Sequence, residues 1–293
     1  MTDDLSKTDF EAQLYQYRNQ IDAIDSALFE LILKRSDIVQ QVGTLKDTHD
    51  DTHVKLRPAR EAHQLHSIYN KFKESPFPEA SALMIWRHLI NGSLMIESPL
   101  RLVTMEFPQA LPDYAREYFG CYADLHYVAN TAQLVEQLQS NQADVGIFPM
   151  PLSSDTDPWW LALADGESKL KAFLHFPYLP TACVRDGREA IAVSKVVEEV
   201  PGENTHTALI LRVPSNMAPI RLKNAVTSIF KKAEWHCSNK LKDESLACFL
   251  TVPYNVHESD ERLDQLLSKL ANDQSSIKIA GHFAQKLGDD DAA

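Results

Sequence analysis

The stretch LFELILKRSDIVQQVGTLK, residues 28–46, decides how this chain begins its fold. Read at every seventh residue, one row runs Leu14, Ile21, Leu28, Arg35, Val42, and its companion runs Tyr17, Ile24, Leu31, Ile38, Leu45. This is a heptad seam of ten positions, apolar at nine, the pattern of a helix that packs along its length against another helix. Residues 12–46 hold no proline and no breaker other than Gly43, which predicts one helix of about 33 residues and about 50 Å. Arg35 is the exception in the seam. An unpaired charge in an apolar interface costs several kcal/mol, so Arg35 needs an anionic partner, either a carboxylate side chain or a ligand.

Beyond the polar run DTHDDTH (47–53), a second helix is expected from about Pro58, with proline at its first turn and Leu65, Ile68 and Phe72 on one face. ESPFPE (74–79) breaks the chain, and a third helix runs from near Pro78 to about Glu97 with Leu83, Trp86 and Ile90 as its apolar positions. Two short helices cannot cover a 50 Å seam. Dimerisation through the long helix is the expected solution, and the helical region is assigned to residues 1–98.

After Pro99 the pattern alternates. RLVTM, LHYVA and ADVGIFPMP read as strands, PDYAREYFG and TAQLVEQLQSN as helices, and KAFLHFPYL and EAIAVSKVV as further strands. This predicts a small parallel-sheet α/β domain over 99–200. DPWW (157–160) belongs to a short helix whose tryptophans anchor a core or interface. PGEN (201–204) reads as a linker. Residues 205–287 then follow the order β-α-β-β-α-β of a ferredoxin-like domain, and GDDDAA reads as a disordered tail.

The net charge of −12 argues against a nucleic-acid-binding surface but not against a small anionic substrate in a locally basic pocket. The four cysteines lie far apart with no CxxC pair, which fits reduced thiols in a cytoplasmic protein. MTDDLSKTDF is acidic and polar, unlike a secretion signal, and no apolar run approaches the roughly 20 residues of a membrane span. His49, His53, His63 and His66 read as solvent-exposed side chains, and no metal or cofactor is expected.

Three cations face one side of the long helix. Arg18 and Lys46 are 28 residues apart, four whole heptads, and Arg35 lies in the seam between them. On the third helix the stripe Leu83, Trp86, Ile90 turns polar at Ser93 and Glu97, which are i, i+4 neighbours. The second helix offers Arg57, Arg60 and Glu61 in its first turn, where Glu61 also suits the helix dipole. Together these side chains describe a pocket for a small dicarboxylate bearing a hydroxyl group. It has no obvious nucleophile and no Gly-rich phosphate loop.

Residues 11–98 resemble the all-helical chorismate mutase family, a three-helix chain that dimerises through its long first helix. YRNQIDAIDSALFELILKR, VGTLK, RPAREA and INGSLMIE carry the resemblance, in the family's order. It implies a dimeric enzyme of aromatic amino acid biosynthesis that rearranges chorismate to prephenate. Arg35 would grip one carboxylate, and Arg18 the other from the partner subunit. Lys46 would bind a carboxylate and the ether oxygen, Glu61 would accept from the ring hydroxyl, Ser93 would seat a carboxylate and Glu97 would donate to the ether oxygen. Arg57 stands among the substrate-binding residues at a position that is acidic in some relatives. Bacterial relatives often have Gln at the position of Glu97. A carboxylate cannot donate, so Glu97 serves that role only when protonated.

The order of regions resembles the bifunctional chorismate mutase–prephenate dehydratases, whose last domain is an ACT regulatory domain. ADVGIFPMP and HTALILRVPSNMAPI fit that likeness. REAIAVS stands where the dehydratase's Thr-Arg-Phe signature is expected, and MEFPQALP replaces its Gly-rich turn. About 100 residues are also too few for both dehydratase lobes, so dehydratase activity is expected to be lost. MAPI and WHCSNKL replace the ACT family's phenylalanine-binding segments, so no amino-acid effector is expected. Two alternatives stand beside this reading: a bifunctional mutase–dehydratase, and a non-catalytic dimeric small-molecule sensor.

Overall fold

The computed structural model describes residues 7–48, 56–155, 158–165, 167, 169–179, 188–195, 205–270 and 274–288. PGEN, the tail beyond residue 288, and most of the polar run 47–53 lie outside them. The described chain divides into two compact units.

The first unit holds helix α1 (Lys7–Asp47) together with residues 96–98. With 41 residues, α1 spans about 60 Å. It begins earlier than expected from the seam, because the TDFE segment (8–11) holds no proline or glycine to stop it. Ser26, Ser36 and Thr44 each return their hydroxyl to the carbonyl four residues earlier, so these polar side chains do not compete with the helix.

The second unit begins with helix α2 (Pro58–Phe72), which has proline in its first turn, and helix α3 (Glu79–Glu97), whose last two residues belong to the first unit. The α/β region contributes β1 (Arg101–Met105), α4 (Ala110–Phe119), β2 (Asp124–Val128), α5 (Thr131–Gln139), β3 (Val145–Pro149), β4 (Lys171–Phe176) and β5 (Ala190–Ser194). Asn130 caps α5 by accepting from Gln133 N at 3.0 Å. Gly120 ends α4 with φ +90, a left-handed backbone that suits glycine. The DPWW segment forms a 3-10 turn over Trp159–Leu163 instead of an α-helix. Both tryptophans are buried, as expected of core anchors.

The last region runs β6 (Thr205–Pro214), α6 (Pro219–Ile229), β7 (Glu234–Lys240), β8 (Ser245–Val252), α7 (Glu261–Leu270) and β9 (Ser276–Ala284). Its strands lie in the order β9-β6-β8-β7, all antiparallel. That is the ferredoxin-like arrangement read from the sequence.

Two expectations are corrected. The α/β sheet is mixed: β1 is parallel to β2 and β3, but β5 is antiparallel to both β3 and β4. An antiparallel return needs no crossover helix, and the sequence between Phe176 and Ala190 has no helical period. The α/β and ferredoxin-like strands also form one sheet. Its nine strands run β2-β1-β3-β5-β4-β9-β6-β8-β7, joined at the parallel pairing of Ala172 with Gly281.

Alternation along the strands distributes the core. Leu102, Ile147, Ala190 and Ala192 face one side, where they share a core with Leu65, Leu83, Ile90 and Leu94 of α2 and α3 and with Tyr114 and Tyr118 of α4. Val103, Phe148, Ile191 and Val193 face the other side, with Trp159, Trp160 and Phe249. Leu209, Leu211, Cys248 and Leu250 pack under α6 and α7. Helices α2 and α3 are thus built into the α/β core.

Candidate active site

The expected site residues are distributed over both units. On α1 the seam is open: eight of its ten positions are exposed, with Ile24 at 61% and Leu45 at 64%, and Leu14 and Arg35 are half-buried. Arg18 is exposed. A continuous apolar stripe of this length left to water is the mark of an interaction face.

At the end of α1, Lys46 Nζ donates to Glu97 Oε2 at 2.5 Å, forming an ion pair. Gly43, one turn before Lys46, is buried, and a Cβ there would stand 3.5 Å from Glu97 Cγ. Lys46 and Glu97, which the family resemblance implies for one substrate atom, are thus neighbours, 51 residues apart in the chain.

In the second unit, Glu61 lies in the first turn of α2 and is buried. Its Oε2 accepts from Arg87 Nη1 at 2.7 Å. Arg87, on α3, is fully buried. Its Nε donates to Tyr118 O at 2.7 Å, and its Nη2 to Asn91 Oδ1 at 2.7 Å. Asn91 Nδ2 donates to the same Tyr118 carbonyl at 2.8 Å. The guanidinium carbon sits 3.9 Å from the centre of the Tyr118 ring. Burial opposes the Arg87 charge, but Tyr118 and Glu61 outweigh it and raise its pKa. Burial also raises the Tyr118 and Tyr178 hydroxyls, and Glu61 adds to both while Arg87 opposes it.

Tyr118 O belongs to the last turn of α4, where the carbonyls lack helical partners and carry partial negative charge. Arg87 and Asn91 supply the missing donors. Ser93 is buried, and its hydroxyl donates to Leu89 O at 2.7 Å. Arg57 Nη1 donates to Leu56 O at 3.3 Å, and Arg60 is exposed.

Sequence reasoning missed Arg87, Asn91 and Tyr118. The signal was the one that drew attention to Arg35, a cation among apolar neighbours at helical spacing. The stripe was drawn through Leu83, Trp86 and Ile90, whereas the buried row runs Leu83, Arg87, Ile90, Leu94.

A concavity of about 500 Å³ opens beyond the carboxyl ends of β1 and β2. Glu106, Tyr127, Gln133 and Glu136 line it, and no threonine is among its lining residues. Among the described residues no three His, Cys, Asp or Glu side chains gather as a metal site. No described helix is long and apolar enough to cross a membrane.

Residues 17–98 match the family model of chorismate mutase type II. A bifunctional chorismate mutase/prephenate dehydratase of Neisseria gonorrhoeae is 27% identical over 144 residues, which are 48% of this chain and 38% of that protein. The chain spans about two fifths of the length of the curated relatives it matches. A structure of GqqA, described as a novel type of quorum quenching acylase, aligns at 15% identity and a TM-score of 0.45, over 63% of this chain and 95% of that one. The prephenate dehydratase of Streptococcus mutans aligns at 17% identity and a TM-score of 0.42, over 63% and 98%. The helical region at residues 17–98 thus resembles the type II chorismate mutases whose model it matches, and it is continued in this chain by an α/β region with a mixed sheet.

Proposed function

We propose that the chain is a chorismate mutase that converts chorismate to prephenate as a homodimer assembled through α1. Arg35 of one subunit and Arg18 of its partner take the two carboxylates. Lys46 binds a carboxylate and the ether oxygen, Glu61 accepts from the ring hydroxyl, Ser93 seats a carboxylate and Glu97 donates to the ether oxygen. Arg57 stands at the edge of this set. The rearrangement is intramolecular, breaking the ether C–O bond as a C–C bond forms, and needs no covalent enzyme intermediate and no cofactor. The pocket holds the compact reactive conformer and stabilises negative charge that develops on the ether oxygen.

The observation that carries this reading is the 2.5 Å pair of Lys46 with Glu97, which unites the two residues assigned to the breaking bond. The open seam on α1 supports the dimer. It also supplies Arg35 with its setting, an apolar interface in which the substrate provides the counter-charge. We assign residues 1–98 to the mutase, 99–200 to a dehydratase-like region without dehydratase activity, and 205–287 to an ACT-like domain that assists assembly. The free thiols among the described cysteines fit a cytoplasmic setting.

The test follows chorismate loss by absorbance from pH 5 to 9, beside Arg35→Ala, and then assays the product for phenylpyruvate. Prephenate accumulation that vanishes in Arg35→Ala is expected. Phenylpyruvate in the same tube would restore the bifunctional reading. No turnover at any pH would make the helical region a sensor or scaffold.

A further inference from the structure

The Arg87 cluster is more than a buried ion pair needs to be. Taking both charges out of water costs several kcal/mol per ion in effective terms, and apolar residues of similar volume often serve a core as well or better. Here the cost is met by a complete set of partners. The guanidinium has Glu61, the Asn91 amide oxygen and the Tyr118 carbonyl, and its face lies on the Tyr118 ring. Asn91 is itself tied to Tyr118 O. A planar fork held at three points cannot rotate, so the carboxylate oxygen it binds is fixed as well. Removing one partner would leave the others buried and unsatisfied.

We propose that Arg87 is the positioning residue for Glu61, orienting the carboxylate that receives the substrate hydroxyl and tying it to the end of α4. This rests on the mutase reading given above. Arg87 engages Oε2 of Glu61, and the Tyr118 side chain adds a hydrogen bond to the same carboxylate, so the acceptor is held from two sides. Tyr118 belongs to the α/β region, so that region takes part in catalysis by holding Arg87, with no active site of its own required. Gly120, with φ +90, ends α4 after Phe119, and a Cβ there would be in ordinary contact with Asn91 Nδ2 at 3.4 Å.

The test is a double-mutant cycle in the full chain, measuring kcat/KM for chorismate in wild type, Glu61→Gln, Arg87→Gln and the double variant, each checked for folding by thermal melting. Arg87→Gln is expected to lower kcat/KM by about 10- to 100-fold, the scale of a misplaced catalytic group. The same change in the Glu61→Gln background is expected to cost nothing further. Arg87→Lys, which reaches Glu61 but cannot hold Asn91 and Tyr118 together, recovers part of the loss. Independent losses that multiply in the double variant would overturn the proposal, as would a folded Arg87→Gln with wild-type kinetics. Should Arg87→Gln not fold, Arg87→Lys and Asn91→Ala carry the same cycle against Glu61→Gln. An inactive wild type would overturn the mutase reading and this inference together, whereas an active one with multiplying losses overturns the inference alone.

Discussion

Gly281 on β9 and Ala172 on β4 approach so closely that a Cβ on Gly281 would lie 2.0 Å from the Ala172 carbonyl oxygen and 2.6 Å from its nitrogen. Both are backbone atoms and cannot turn aside. This pair joins the two halves of the nine-stranded sheet. Lys171 Nζ crosses the same seam to Ile279 O at 2.6 Å.

Gly281→Ala is therefore expected to force β4 and β9 apart and to destabilise the chain by about 1–3 kcal/mol, the usual range for overpacking. Urea denaturation at neutral pH measures it. An unchanged midpoint would mean that the junction yields freely.

Glu189, just before β5, has His175 Nε2 at 3.5 Å and accepts from Lys286 Nζ at 2.9 Å. These partners, His175 first, bring its pKa from the ordinary 4.5 to about 2, against the opposing effect of burial. The folded value lies below the unfolded one, so the stabilisation is complete above pH 4.5 and is lost as pH falls from there toward 2. Melting temperatures from pH 5 to 2.5 should fall less steeply in Glu189→Gln than in wild type. Parallel curves would show that the carboxylate contributes nothing in this window.

Glu97 faces Lys46 and has to donate to the ether oxygen under the proposed mechanism. Glu97→Gln is expected to keep or raise mutase activity, because an amide is always a donor to the ether oxygen. Lys46→Met should lose about 10²- to 10³-fold in kcat, the scale for removing one donor to developing charge. Loss of chorismate turnover in Glu97→Gln would take Glu97 out of the donor role.

Arg18 and Arg35 are assigned to one site but to different subunits. Arg18→Ala and Arg35→Ala should each be inactive as homodimers. Mixed after unfolding, they should regain about a quarter of wild-type activity, because half of randomly paired isologous dimers are hybrids with one intact site. No recovery in a mixture shown to exchange subunits would place both arginines in the same chain's site.

Much of this architecture was legible because its signals are local. Pro58 opens α2, Asn130 caps α5, and the alternation in HTALILRV gives a strand whose inward residues are buried. The βαββαβ order followed from those elements alone. What was hidden depends on contacts distant in sequence. The antiparallel entry of β5 leaves no mark in its buried run, because a strand covered on both faces reads the same in either direction. The β4–β9 junction rests on one glycine opposite one alanine. In the candidate site, Lys46 was readable as a cation beside the apolar rows of α1, and Glu97 as a polar position in the stripe of α3. Arg87 was readable in principle but concealed by a stripe drawn one residue away, and Tyr118 contributes a backbone carbonyl, which no side-chain pattern reports.

The core shared by α2, α3, α4 and the first strands bears on how this chain can be divided and recombined. Leu83, Ile90 and Leu94 are buried in the same cluster as Leu102 and Tyr114, so cutting the polypeptide near Ser98 would leave the helical segment with a raw apolar flank and Arg87 without its carbonyl. Part of the segment that carries the family match shares its core with the region that follows. Gene fusion or domain swapping at that point would succeed only if the new neighbour brought its own hydrophobic face and a helix end aimed at Arg87.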